Sequence, residues 1–121
     1  MWDGRNRRRF PRVVFPCLLK VKKDGNPILT HTENISLGGL CILLKEALAI
    51  SVLVDVEIDL MDAGDSVQCQ GKISWSQQRK STEAVKPLFY ETGVEFINLK
   101  DGDFKRLQAI VGHQIKQGKT F

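Results

Sequence analysis

Two runs of alternating residues limit what this chain can fold into. Val52, Val54, Val56, Ile58 and Leu60 share one parity, while Asp55, Glu57 and Asp59 take the other. Val67, Cys69, Gly71, Ile73 and Trp75 repeat the pattern against Gln68, Gln70, Lys72 and Ser74. Successive side chains of a strand point to opposite faces, so each run reads as a strand with one buried face. The same reasoning gives strands over Val13–Lys22, Ile28–Ile35, Leu40–Leu44 and Leu88–Ile97. Asp24-Gly25-Asn26-Pro27, Gly38-Gly39 and Asp62-Ala63-Gly64-Asp65 supply turn signals between them.

Only the final segment changes period. Phe104, Leu107, Ile110, Val111 and Ile115 follow helical spacing, with Asp101 or Asp103 as the expected N-cap and Gly118 as the stop. Six short strands and one terminal helix predict a mainly all-β fold: a six-stranded antiparallel β-barrel with a C-terminal α-helix covering an open end or side. A length of 121 residues suits one such domain and is too short for two. Residues 1–10 and Gln78–Lys86 are the stretches expected to be least ordered.

Charge is distributed unevenly. The first twelve residues contain Arg5, Arg7, Arg8, Arg9 and Arg12 against Asp3 alone, so the whole net charge of +4 resides in this arm. Such a cluster suits an anionic partner or serves as a solvated tail. Its arginines repel one another, which predicts an arm that orders when an anion neutralises it. A guanidinium fork holds phosphate oxygens two at a time and also fits the O6/N7 edge of guanine.

Other chemistry finds little support. Cys17, Cys41 and Cys69 are widely spaced within strand-like runs and read as buried, reduced thiols. His31 and His113 are isolated, so no metal site is expected. Ser36 lies in nothing like a nucleophile elbow, and no catalytic residue is expected. The chain has no apolar run long enough to insert in a membrane and no secretory h-region, which makes the cytoplasm the default location. The Asn34-Ile35-Ser36 sequon then meets no glycosylation machinery.

Downstream of the arm, Asn34, Ser36, Gly38 and Gly39 form a compact polar stretch. The glycine pair permits positive φ and close backbone approach, and Asn34 and Ser36 point the same way if the strand continues. Arg8-x-x-x-Arg12, a strand, and then Asn34-x-Ser36-x-x-Gly39 resemble the paired motifs of the PilZ domain family, bacterial six-stranded barrels that bind cyclic di-GMP. Gly71-Lys-Ile-Ser-Trp75 resembles the family's "G-x-V-x-W", and Tyr90-Glu-Thr-Gly93-Val94-Glu-Phe96 its "Y-x-x-G-V-x-F". The resemblance covers roughly residues 5–115, within a single domain at 5–118 preceded and overlapped by the arm at 1–12.

It implies a ligand site made of Arg7, Arg8, Arg12, Asn34, Ser36, Gly38, Gly39 and Trp75. Arg8 and Arg12 would grip phosphate and guanine, while Asn34, Ser36 and Gly39 bind guanine and shape the pocket. Arg7 occupies the position associated with binding two cyclic di-GMP molecules as a stacked dimer. Arg5 and Arg9 also have the motif spacing, but Arg12 directly precedes the first strand, which favours Arg8 and Arg12. Asn34 replaces the commoner Asp and gives up some charge-assisted bonding to a guanine N–H.

Trp75 reads equally as a core residue and as a ligand-stacking one, whereas Tyr90 and Phe96 read as core. The expected function is a non-enzymatic cyclic di-GMP receptor, with no cofactor, that signals by contact with an unidentified downstream protein. The alternative is an interaction module whose basic arm engages nucleic acid or protein. The complete Asn-x-Ser-x-x-Gly and the scarcity of aromatics for base stacking disfavour nucleic acid.

Overall fold

The computed structural model describes residues 11–79 and 89–120. Its strands are β1 (Leu18–Lys23), β2 (Asn26–Ile35), β3 (Gly39–Leu44), β4 (Leu53–Ile58), β5 (Val67–Arg79) and β6 (Phe89–Phe96), followed by helix α1 (Asp101–Lys116). Every strand pairing is antiparallel, and the order β1-β2-β3-β6-β5-β4 closes on itself through β1 and β4. Closure gives each strand a hydrogen-bonded neighbour on both sides.

The alternating patterns do most of the folding. Leu19, Val21, Ile35, Ile42, Leu44, Val54, Val56, Ile58, Val67, Ile73 and Val94 fill the barrel. Helix α1 adds Leu107 and Val111 to the same core at the end where β2 and β4 finish. Leu48, from the connection between β3 and β4, is buried in that core as well.

Several boundaries differ from those expected. Pro16 has no N–H to give a ladder, and the expected Val13–Lys22 strand is split there. Val13 instead makes its own bridges to Ile35 and Thr120, and β1 begins at Leu18. The first hairpin turns on Asp24 and Gly25 alone, with φ of 53° and 80°, as a two-residue loop of mirror-image type requires. Asn26 and Pro27 therefore belong to β2, paired with Lys23 and Lys22. Gln78 and Arg79, expected to open a less ordered stretch, lie in β5 and pair with Tyr90 and Phe89. The rest of that expectation, and the one for residues 1–10, lies outside the described residues.

The ends of the helix give one correction and one agreement. Lys100 is the N-cap and makes no side-chain cap, while Asp101 and Asp103 lie in the first turn, where their charge meets the positive end of the dipole. Gly118, at φ 73°, ends the helix as expected. Its N–H reaches Ile115 O at 3.0 Å and the Lys119 N–H reaches Gln114 O at 2.9 Å, the paired bonds of a Schellman motif. Ile115 is exposed. Gln114 is buried in its place, because its Nε2 donates to Val14 O at 2.6 Å.

Cys17, Cys41 and Cys69 are thiols outside any disulfide, with Cys17 and Cys41 buried and Cys69 half-buried. Burial pushes the Cys69 thiol up to about 11. Among the described residues no helix is long and apolar enough to cross a membrane.

A bidentate ion pair ties the helix to the β4–β5 connection. Arg106 Nε and Nη2 meet the two carboxylate oxygens of Asp62 at 2.9 and 2.6 Å. The Arg106 hydrogen bonds, aided by the Gly64 N–H, hold the Asp62 carboxyl down to about 2. A carboxyl depressed on folding contributes stability that is fully present above its unfolded pKa, near 4, and is lost as pH falls through its folded value. Both side chains keep a quarter or more of their surface in water, so the contribution is small and screened by salt. Asp62→Asn is expected to melt slightly below the wild type at neutral pH, with the gap closing between pH 4 and pH 2 and in high salt. A gap that stays constant across that titration contradicts this account.

Candidate functional site

Arg12 enters the site through its neighbour. Val13 exchanges two backbone hydrogen bonds with Ile35, N to O at 2.9 Å and O to N at 3.0 Å. That antiparallel pairing, continued by one residue, brings Arg12 level with Ser36. Because the Val13 side chain belongs to the core, half-buried Arg12 turns to the outer surface. On the other side the segment is clamped by the Val14 N–H to Lys119 O at 2.8 Å and by Gln114 on Val14 O. Arg7 and Arg8 lie outside the described residues.

Ser36 and the glycine pair perform work inside the hairpin. The Gly38 N–H donates to Ser36 Oγ at 3.2 Å, and the Ser36 N–H donates to Gly39 O at 2.8 Å, closing the β2–β3 turn. β2 ends at Ile35, so the strand on which Asn34 and Ser36 would point the same way stops one residue short of Ser36. Positive φ is not used either: among the described glycines it occurs at Gly25 and Gly118. Gly39 is required for another reason, since a Cβ there would lie 2.1 Å from Val94 O on β6. The close approach enabled by Gly39 is between two strands of the barrel.

Asn34 and Trp75 are each directed by a register shift in their own strand. β2 shifts register between Thr32 and Asn34, and β5 shifts between Ile73 and Trp75. An inserted residue exchanges the two faces of a strand for everything beyond it. Thr32, Ile42, Ile73 and Val94 face inward, so beyond the shifts Asn34 and Trp75 face outward. This overturns the reading of Trp75 as sharing the core parity of Val67 and Ile73.

The pairings Asn34↔Cys41, Cys41↔Gly93 and Gly93↔Trp75 now form one row across β2, β3, β6 and β5. Directly paired residues share a face, and at about 4.8 Å per strand the row spans roughly 14 Å. Asn34 is 2% exposed and Cys41 1%, yet both lie outside the core cluster. Tyr90 and Phe96, in contrast, have inward parity and are half-buried, Phe96 against the core.

Gly93 opens the row for the indole. A Cβ on Gly93 would meet Trp75 Nε1 at 2.1 Å and Cε2 at 2.5 Å, so the ring occupies the space above that backbone. The bulge residue Ser74 anchors the same point, its Oγ donating to Gly93 O at 3.1 Å. A half-buried indole fixed in this way offers a flat aromatic surface on the outside of the barrel. Cys41 and Gly93 were not singled out as site residues in the sequence. Only the register identifies them, although Gly93 belongs to a quoted motif.

One substitution tests this packing. Gly93→Ala, in a Trp2→Phe background, is expected to expel the indole, red-shift its emission and cost about 1–3 kcal/mol of stability as overpacking does. Unchanged emission together with an unchanged melting curve contradicts the packing described.

The fold has solved counterparts. The PilZ domain of YcgR from Escherichia coli with c-di-GMP is 19% identical at a TM-score of 0.72, covering 93% of this chain and 94% of that one. The K. pneumonia MrkH–c-di-GMP complex is 20% identical at 0.74, covering 93% of this chain and 53% of that one. The Bacillus subtilis inhibitor of motility MotI/DgrA is 17% identical at 0.72, covering 93% and 51%. The chain thus spans about half the length of MotI and MrkH. At these identities the likeness is one of fold. No curated protein matches the sequence. The family model of the PilZ domain matches residues 6–113, more than half of the chain, and the chain belongs to that family.

Proposed function

We propose that this chain is a cyclic di-GMP receptor of the bacterial cytoplasm, without catalytic activity, that signals by presenting its ligand-bound surface to a partner protein. The observation that carries the reading is the outward row Asn34–Cys41–Gly93–Trp75 with Arg12 held level with the adjoining hairpin. Family membership supports it, as do the c-di-GMP complexes of YcgR and MrkH among proteins of the same fold.

Each part of the face has a role in this reading. The forks of Arg8 and Arg12 take phosphate oxygens and the O6/N7 edge of guanine. Asn34 hydrogen-bonds a base, and Trp75 gives one a surface to stack on. Ser36, Gly38 and Gly39 hold the hairpin that supports Asn34 and the strand beside Arg12. Neutralising the arm's five arginines removes their mutual repulsion, so binding orders the arm ahead of Arg12 and changes the surface a partner meets. Two stacked ligands bring four phosphate charges together, and Arg7 adds the cation and the planar stacking group that this requires.

Calorimetric titration tests the proposal. Wild-type protein is expected to bind two cyclic di-GMP molecules and to prefer them to cyclic di-AMP, whose N6 donor opposes the arginine fork. Arg8→Ala and Arg12→Ala should each lose about 2–3 kcal/mol, roughly 30-fold or more, while Arg5→Ala loses less. Arg7→Leu should bind with a stoichiometry approaching one. Equal affinity for the guanine and adenine dinucleotides contradicts the receptor reading, and wild-type saturation at one ligand contradicts the role of Arg7.

A further inference from the structure

The backbone that carries Arg12 has few anchors of its own. Pro11 and Pro16 have no N–H to give, and Val13 makes isolated bridges instead of belonging to a strand. Every main-chain polar group of Val13 and Val14 is nevertheless bonded. Val13 exchanges its pair with Ile35, the Val14 N–H donates to Lys119 O at 2.8 Å, and Gln114 Nε2 donates to Val14 O at 2.6 Å. All but the last join main chain to main chain and are open to any residue other than proline. Among the described residues, Gln114 is the one side chain that hydrogen-bonds the segment between residues 11 and 14.

Gln114 stands where an apolar residue would serve the core. Leu107, Val111 and Gln114 are buried along one stripe of α1, at spacings of four and three. Gln114 is 7% exposed, and burying an amide costs stability unless the amide is bonded. A leucine or methionine at this position would fill the same space and leave Val14 O without its partner. The amide therefore supplies something that shape alone does not. It fixes the Val14 carbonyl, and with it the peptide planes that lead back to Arg12. An arginine fork must meet two acceptors together, so a tilt of the backbone beneath it loses the second bond.

We propose that Gln114 is a positioning residue of the ligand face, holding the Val14 carbonyl so that Arg12 meets its anion in a fixed direction. The proposal rests on the receptor reading above and deepens it. Gln114 acts through the backbone and not on the ligand: it lies in the buried stripe of α1, whereas Arg12 turns to the outer surface. Coupling of this kind is reciprocal. A ligand that holds Arg12 also steadies Val14 against Gln114 and Lys119, so the last turn of α1 registers the occupancy of a site it does not line.

A double-mutant cycle tests it, with cyclic di-GMP affinity measured by calorimetry on wild type, Gln114→Met, Arg12→Ala and the double variant. Methionine keeps the length of the side chain and removes the donor. With Arg12 present, Gln114→Met is expected to weaken binding about five-fold, the value of one net hydrogen bond. In the Arg12→Ala background the same change should cost less than about two-fold, because the side chain it positions is gone. A merely structural role lowers affinity by the same factor in both backgrounds. That result, or no loss with Arg12 present, overturns the proposal. Where Gln114→Met does not fold, amide exchange on the wild type decides: the ligand is expected to slow the Val14 N–H, and an unchanged rate overturns the proposal. If the proposal fails while the wild type binds cyclic di-GMP, the receptor reading stands; a wild type that does not bind it overturns both.

Discussion

A strand has two faces, and in this barrel a single extra residue decides which face carries the chemistry. Glu33 in β2 and Ser74 in β5 each fall at a register shift, and beyond each shift the side chains exchange inside for outside. Without them Asn34 would follow Thr32 inward and Trp75 would follow Ile73. With them the two residues fall in one cross-strand row on the outward side of the sheet, joined through Cys41 and Gly93. The candidate face depends on this pair of irregularities, which lie in strands that are not neighbours in the sheet.

The motif glycines are understood best in the same frame. Gly39 lets β3 approach Val94 of β6, and Gly93 leaves room for the Trp75 ring. Neither adopts positive φ. Both act on the scaffold, bringing β3, β6 and β5 close enough for Cys41, Gly93 and the indole to pack in one row on the outward side of the sheet. Ser36 acts locally too, closing the turn with its hydroxyl. Removing any of these residues would disturb the ligand face through backbone geometry even where no ligand atom touches them.

The barrel itself was legible because its strands alternate cleanly and the helix stop Gly118 has an unambiguous physical requirement, while the turn signal Asp24-Gly25-Asn26-Pro27 marked the first hairpin but ran two residues past its turn. Strand ends were less so. Pro16 breaks the first strand within an otherwise apolar run, and the helix takes Lys100 as its N-cap despite two nearby aspartates. Site residues were legible as residue types in order along the chain, whereas their direction was not. A bulge leaves no periodic trace, since the residues on either side of Ser74 continue to alternate in the sequence while the structure reverses them. Gln114 escaped for a related reason: a polar residue on the buried side of the helix is meaningful only once Val14 O is known to be opposite.

The central claim is that the ligand lies on the outer face of β2, β3, β6 and β5, and backbone and indole NMR shifts in a cyclic di-GMP titration test it most directly. The account predicts the largest changes at Asn34, Cys41, Gly93 and the Trp75 indole N–H. Little change is predicted at Lys20, Asp55 and Glu57 on the outer face of β1 and β4. Changes concentrated on β1 and β4, with an undisturbed Trp75 indole, would contradict it.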